Sequence, residues 1–204
     1  QTCISKITQT EGKQQINPIF IHYTNRMNVF AVDDDPAKSA FQLPDKHIVK
    51  MPLECCQMLS IVYSKWYHNI GHVFKADGTP YKTEKGAFRN HPCTQWVAES
   101  DHNIQWLLQH GISLCTEYTY RYGKTHSCER SLKFAGLLYQ YGCPDKHTPF
   151  ARAMPDVFKY DNTIDTITAY RRYVSSKPWV KDNYLRVPDR KPSWLCYTNS
   201  LETV

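Results

Sequence analysis

Glycine is scarce in this sequence, at 8 of 204 residues, and no apolar run approaches the roughly 20 residues that a membrane span needs. A collagen-like or low-complexity chain is excluded by that composition, and a disordered one by an apolar content of 41%. The 8 cysteines form no C-x-x-C, and the 9 histidines form no H-E-x-x-H. Zinc sites need closely paired ligands, so the thiols read as free, mostly buried groups in a reducing compartment. One E-x-x-H step, Glu99 to His102, lacks the second copy that a carboxylate metal site in a helical bundle requires. Neither a phosphate-cradling P-loop nor a dinucleotide G-x-G-x-x-G occurs. No metal and no cofactor is therefore expected.

What the sequence does hold is aromatic residues and an uneven positive charge. It carries 14 Tyr, 8 Phe and 5 Trp, and a net charge of +6. Seven cations (Arg171, Arg172, Lys177, Lys181, Arg186, Arg190, Lys191) against Asp182 and Asp189 give residues 171–192 a charge of +5. Tyr170, Tyr173, Trp179, Tyr184 and Trp194 are interleaved with them. Cations neutralise phosphate and flat rings stack on bases, so the segment suits nucleic acid. The alternative is a C-terminal tail whose rings anchor it to the core while its cations are solvated.

Three parts are expected along the chain: an extension over 1–26, a helical core over 27–170, and a basic, aromatic segment over 171–204 that packs on the core. Met27 reads as a natural start, because Met27–Val32 is a compact, strand-like apolar run unlike the polar stretch before it. Asp33-Asp34-Asp35-Pro36 then opens a helix. Further helices are expected over Pro36–Leu43, Asp45 to about Tyr67 with a break or kink at Pro52, Pro92–Gln109, Ile112–Tyr122, Cys128–Tyr141 and Thr163–Val174. Gly111, Gly123 and Gly142 fall where C-terminal caps belong. Residues 71–89 read as a long irregular loop. The fold class is mainly α, a compact multi-helix single domain with at most a small strand element near residues 19–32.

Three polar clusters could carry chemistry. On a helix, His47, Lys50 and Glu54 share a face at spacings of three and four. A lysine amine in a half-buried site can attack an aldehydic sugar carbon, with His47 moving protons and Glu54 stabilising positive charge. An ordinary solvated helix face has the same pattern. Arg89-Asn90-His91-Pro92 sits at a loop–helix junction, where free backbone N–H groups and two cationic side chains attract an anion. There Asn90 reads as the N-cap and Trp96 as core or as a stacking ring. Glu117, Tyr120, Arg121 and Lys124 share a third face. Arg121 and Lys124 could grip phosphate with Tyr120 stacking, or Glu117 and Arg121 could form a plain helix ion pair.

Together these blocks carry a resemblance. Met27-Asn28-Val29-Phe30 with Asp33-Asp34-Asp35-Pro36, Asp45 to Met51, Arg89 to Cys93, Glu117 to Lys124, Ala153-Met154-Pro155-Asp156 and Ala169 to Tyr173 resemble a family of small proteins of tailed phages. More distantly, Asn90-His91-Pro92 and the helix after it are similar to the phage-type pyrimidine-dimer DNA glycosylases. That resemblance implies a compact helical fold acting on DNA in the cytoplasm of an infected host cell. Its members use the α-amine of the mature N-terminus as nucleophile, beside one glutamate. Gln1 lies far from the resembling region, so a lysine such as Lys46 or Lys50 is expected to replace that amine.

The expected function is a DNA-directed, glycosylase-like base-excision or base-modifying enzyme. Lys50, His47, Glu54, His91 and Glu117 are its candidate catalytic residues. Arg89, Arg121, Lys124, Arg171 and Arg172 would hold phosphates, with Trp96 and Tyr120 stacking. A non-catalytic module binding nucleic acid or a host protein, and a small-molecule enzyme with a helical pocket, are the competing expectations.

Overall fold

A computed structural model describes residues 27–82, 85, 87–139 and 145–195. The expected extension over 1–26, the last part of the C-terminal segment and Gly142 lie outside them. The described residues are helical: α1 (Pro36–Phe41), α2 (Asp45–Val62), α3 (Pro92–Ala98), α4 (Asp101–Tyr122), α5 (Glu129–Leu138), α6 (Asp156–Lys159) and α7 (Thr166–Ser175). Short 3-10 turns occupy Ala87–Asn90 and Pro188–Arg190. α4 is central and touches α1, α2, α3 and α5.

Local signals start and stop these helices. Asp35 caps α1 by accepting from the Ala37 and Lys38 amides, with Pro36 in the first turn. Gly123 ends α4 at φ 65°, a left-handed value that suits glycine. Four expectations change. Residues 27–32 pair with no strand, although Val29, Ala31 and Val32 are fully buried. α2 runs unbroken through Pro52. The expected Pro92–Gln109 helix is two helices, with Ser100 capping the second through the Asn103 amide. Gly111 does not cap a helix but lies inside α4. A Cβ there would come within 3.0 Å of Leu132 and 3.2 Å of Cys55, so α4 needs glycine to approach its neighbours.

A cluster of Trp96, Trp106, His110 and Phe150 fills one end of the core. His110 is buried against Trp106 and donates through Nδ1 to the Pro36 carbonyl at 2.9 Å. Burial pushes its pKa down to about 4, against the opposing pull of carbonyl partners. An unfolded histidine titrates near 6.5, so the unfolded chain gains the proton first as pH falls. Stability is therefore full above pH about 6.5 and falls towards pH 4, by at most about 3 kcal/mol from this residue. Denaturant melts from pH 7 to 4.5 should show a shallower slope for His110→Phe than for the native chain.

The C-terminal segment packs onto the start of α2. The Asp45 amide donates to the Asn183 carbonyl at 2.8 Å, and the Lys46 amide to Asn183 Oδ1 at 2.7 Å. These contacts satisfy amide groups at the N-terminus of α2, where Pro44 offers no capping side chain. Tyr184 donates to the Gln42 carbonyl, and Trp194 Nε1 to Gln42 Oε1. Much of the basic segment thus holds structure, and it delivers Lys177 and Trp179 to α2.

Candidate active site at a buried glutamate

α2 places His47, Lys50 and Glu54 on one face, as their spacing requires. Lys50 Nζ lies 2.9 Å from Glu54 Oε1. The lysine side chain is 50% exposed and the carboxylate side chain 6%. Glu54 Oε2 accepts the main-chain N–H of Asn28 at 2.8 Å. Burial raises the Glu54 pKa, while Lys50 and that N–H oppose the rise. The result is a carboxylate between an amine and a main-chain nitrogen, able to take up a proton.

The chain around Asn28 is shaped for this contact. Asn28 Oδ1 accepts from the Val29 and Phe30 amides at 2.8 and 2.9 Å, and Nδ2 donates to the Ala153 carbonyl at 2.5 Å. The turn holds Phe30 at φ 44°, a left-handed conformation that a bulky side chain rarely adopts. Phe30 then stacks on His47 with ring centres 4.1 Å apart. Trp179 meets His47 edge-on at 5.5 Å. Burial, followed by the nearby Lys177 and Lys50 charges, pushes the His47 pKa well down and keeps its ring neutral. Its Nδ1 has no hydrogen-bond partner among the described residues.

Lys177 completes the corner. It is 5% exposed. Its Nζ stands 4.1 Å from the Tyr173 ring centre, 5.5 Å from Phe30 and 5.9 Å from Trp179. Lys46 Nζ lies over the Trp179 ring at 4.6 Å. The face of an aromatic ring attracts a cation, which lets an ammonium stay among apolar groups. Burial, then the Lys50 charge, lowers the Lys177 pKa to about 8.

Other expected residues fall elsewhere. Glu117 and Arg121 form a separate buried cluster. Arg121 Nε donates to Glu117 at 2.7 Å, and the guanidinium also donates to Asp45 at 3.0 Å and to the Leu43 and Phe41 carbonyls, each at 2.9 Å. With its side chain fully covered, Arg121 presents no face to a phosphate. Trp96 is 2% exposed and donates to the Thr148 carbonyl, so it is core and not a stacking platform. His91, not Asn90, caps α3, with Nδ1 accepting the Cys93 amide at 3.2 Å.

The remaining cations are more accessible. Lys124 is exposed. Arg89 covers Trp66, itself 50% exposed, at 4.0 Å. Arg172 reaches Asp161 at 3.3 Å and keeps half of its side chain in solvent. Arg171 donates to the Val32 carbonyl at 2.8 Å and joins Arg190, Lys191, Phe41, Gln42 and Trp194 around an open cleft of about 520 Å³. Tyr120 is 64% exposed, with Arg190 over its ring. Among the described residues no three His, Cys, Asp or Glu side chains come together as a metal site, and no helix is long and apolar enough to cross a membrane.

The shared face of His47, Lys50 and Glu54 was legible in the sequence, whereas the approach of Asn28, Phe30 and Lys177 to it was not. Lys177, Tyr173 and Trp179 were visible only as parts of a basic, aromatic stretch. The left-handed turn at Phe30 left no signal in the sequence.

The site sets an amine against a buried carboxylate in a helical domain, with cations and rings beside it. Residues 27–130 match the family model for pyrimidine dimer DNA glycosylase, and the chain belongs to that family. No curated protein and no solved structure matches it. The match begins at the Met27-Asn28 turn and contains α1 to α4, hence Glu54 and Lys50, while Lys177 lies beyond it.

Proposed function

We propose that the protein is a base-excision glycosylase that removes damaged pyrimidines from DNA, encoded by a tailed phage and acting in the infected cell. The observation that carries this reading is the Lys50–Glu54 pair at 2.9 Å, with the second carboxylate oxygen held by the Asn28 main chain. Transfer of the ammonium proton to Glu54 frees the Lys50 lone pair. The amine attacks C1′ of the damaged nucleotide as the bond to the base breaks. The attacking nitrogen sheds its spare proton to water. Glu54 passes its proton to the sugar oxygen O4′ as the C1′–O4′ bond breaks, so that the opened sugar is a cationic imine stabilised by the re-ionised carboxylate. His47 stays neutral and contributes hydrogen bonding. Arg89, Lys124, Arg171 and Arg172, with the cleft at Arg190 and Lys191, supply cations for the phosphates, and Tyr120 supplies an exposed ring.

A second assignment of the amine is favoured by one contact. The main-chain nitrogen of Asn28 occupies the other side of Glu54, and Met27 is 2% exposed beside Thr94, whose hydroxyl lies 3.6 Å from its sulfur. Hydrolysis of the Met27–Asn28 bond would leave an α-amine resting on Glu54 and empty the Met27 pocket. Within the uncut chain that nitrogen is an amide, and Lys50 is the amine.

Borohydride reduction during reaction with an abasic or ultraviolet-irradiated duplex tests the reading. The protein is expected to become covalently attached to DNA, and Lys50→Ala to lower the yield at least tenfold. A protein that binds DNA in a salt-dependent way but yields neither adduct nor free base is a binding module.

A further inference from the structure

The corner holds a second lysine that the attack on C1′ does not use. Lys177 is delivered by the turn after α7, and its Nζ is surrounded by Tyr173, Phe30 and Trp179. His47 forms another wall of the cage, stacked on Phe30 and edge-on to Trp179. Tyr173 and Trp179 are half-buried, so the cage reaches the surface on their side. The cage adjoins the Glu54 pair, because His47 lies one helical turn before Lys50 in α2 and Phe30, stacked on His47, lies two residues after Asn28, whose N–H Glu54 accepts.

Breaking a glycosidic bond to a pyrimidine sends the bonding electrons into the base. A fixed positive charge or proton donor beside the base lowers that barrier. We propose that Lys177 is a further catalytic residue, whose caged ammonium neutralises the departing pyrimidine while the neutral His47 ring hydrogen-bonds to the base edge. The proposal rests on the glycosylase reading above but not on which amine attacks C1′.

The step balances. The attacking amine forms a C–N bond to C1′ and its spare proton goes to solvent water. The C1′–N1 bond breaks with its electron pair moving onto the base. One proton moves from Lys177 Nζ to the base, which leaves neutral, and solvent water restores the ammonium. A donor with a pKa of about 8 is charged at neutral pH yet gives up its proton more readily than an ordinary lysine. His47 Nδ1, buried and without a partner among the described residues, would pair with the carbonyl or imide edge of a pyrimidine admitted between Tyr173 and Trp179.

A leaving-group acid matters only when a base is still attached. The test therefore compares two substrates for the full chain: a duplex with a pyrimidine dimer and a duplex with a preformed abasic site. Lys177→Met keeps the stem in the cage and removes the charge. Base excision in single turnovers should fall about 100-fold, in the range of a lost general acid, while strand cleavage at the abasic site stays within about threefold. Lys177→Arg should recover part of the excision rate. Equal loss on both substrates, or unchanged excision, would overturn the proposal. A native chain inactive on both substrates would overturn the glycosylase reading with it.

Discussion

Glu54→Gln is expected to lower base excision about 1,000-fold in single turnovers while leaving DNA affinity within about threefold. The amide is nearly isosteric with the carboxylate and can still accept the Asn28 N–H, so the fold around it should persist. It cannot take the proton from Lys50, whose ammonium would then keep its lone pair occupied. Nor can it balance the positive charge of an imine at C1′. Because Glu54 is 4% exposed, water does not readily replace it in either role. Rates on a dimer-containing duplex, with anisotropy on the same duplex, separate chemistry from binding. Parallel losses of rate and affinity would mean that Glu54 merely supports a binding surface.

Arg121→Met should be the most destabilising single change among the charged residues, by about 3–5 kcal/mol in denaturant melts. Its guanidinium joins α4 to α1 and α2 by donating to Glu117, Asp45 and the Phe41 and Leu43 carbonyls. Methionine fills much of the volume but leaves the Glu117 carboxylate, 1% exposed, with Arg190 as its remaining cation at 3.0 Å. The double variant Arg121→Met with Glu117→Gln removes that buried charge and should recover more than 1 kcal/mol, as expected for residues in one network. A change below 1 kcal/mol for the single variant would place Arg121 outside the structural framework.

The α2 trio was legible because a helix imposes its own spacing, and His47, Lys50 and Glu54 meet on one face without help from the rest of the chain. The cap at Gly123 was legible for the same local reason. Arg121 was misread because burial is decided by partners 76–80 residues away, and the pattern of a solvated ion pair is identical to that of a buried clamp. Trp96 was ambiguous until Trp106 and Phe150 closed over it. The break between α3 and α4 depends on one cap, Ser100, and the passage of α4 through Gly111 depends on Leu132 and Cys55. Lys177 joins Phe30 only through tertiary packing, so no motif could connect them.

The basic segment shows the same limit. Its charge of +5 suggested a surface for polyanions. In the fold, Lys177 is enclosed by rings, Arg186 lies over Tyr122, and Arg190 binds Glu117 over Phe41 and Tyr120. The segment sets Lys177 among rings that touch His47, and it also carries charge to the surface.

The position at which an amine of this protein becomes attached to DNA is the most direct test of a glycosylase centred on Glu54. Borohydride trapping on an ultraviolet-irradiated duplex, followed by peptide mapping of the adduct, locates that atom. The account predicts a single reduced adduct at the Glu54 corner, on Lys50 in the uncut chain or on the Asn28 α-amine in a chain cleaved after Met27. An adduct on any residue away from Glu54, or base release with no adduct at all, would contradict it.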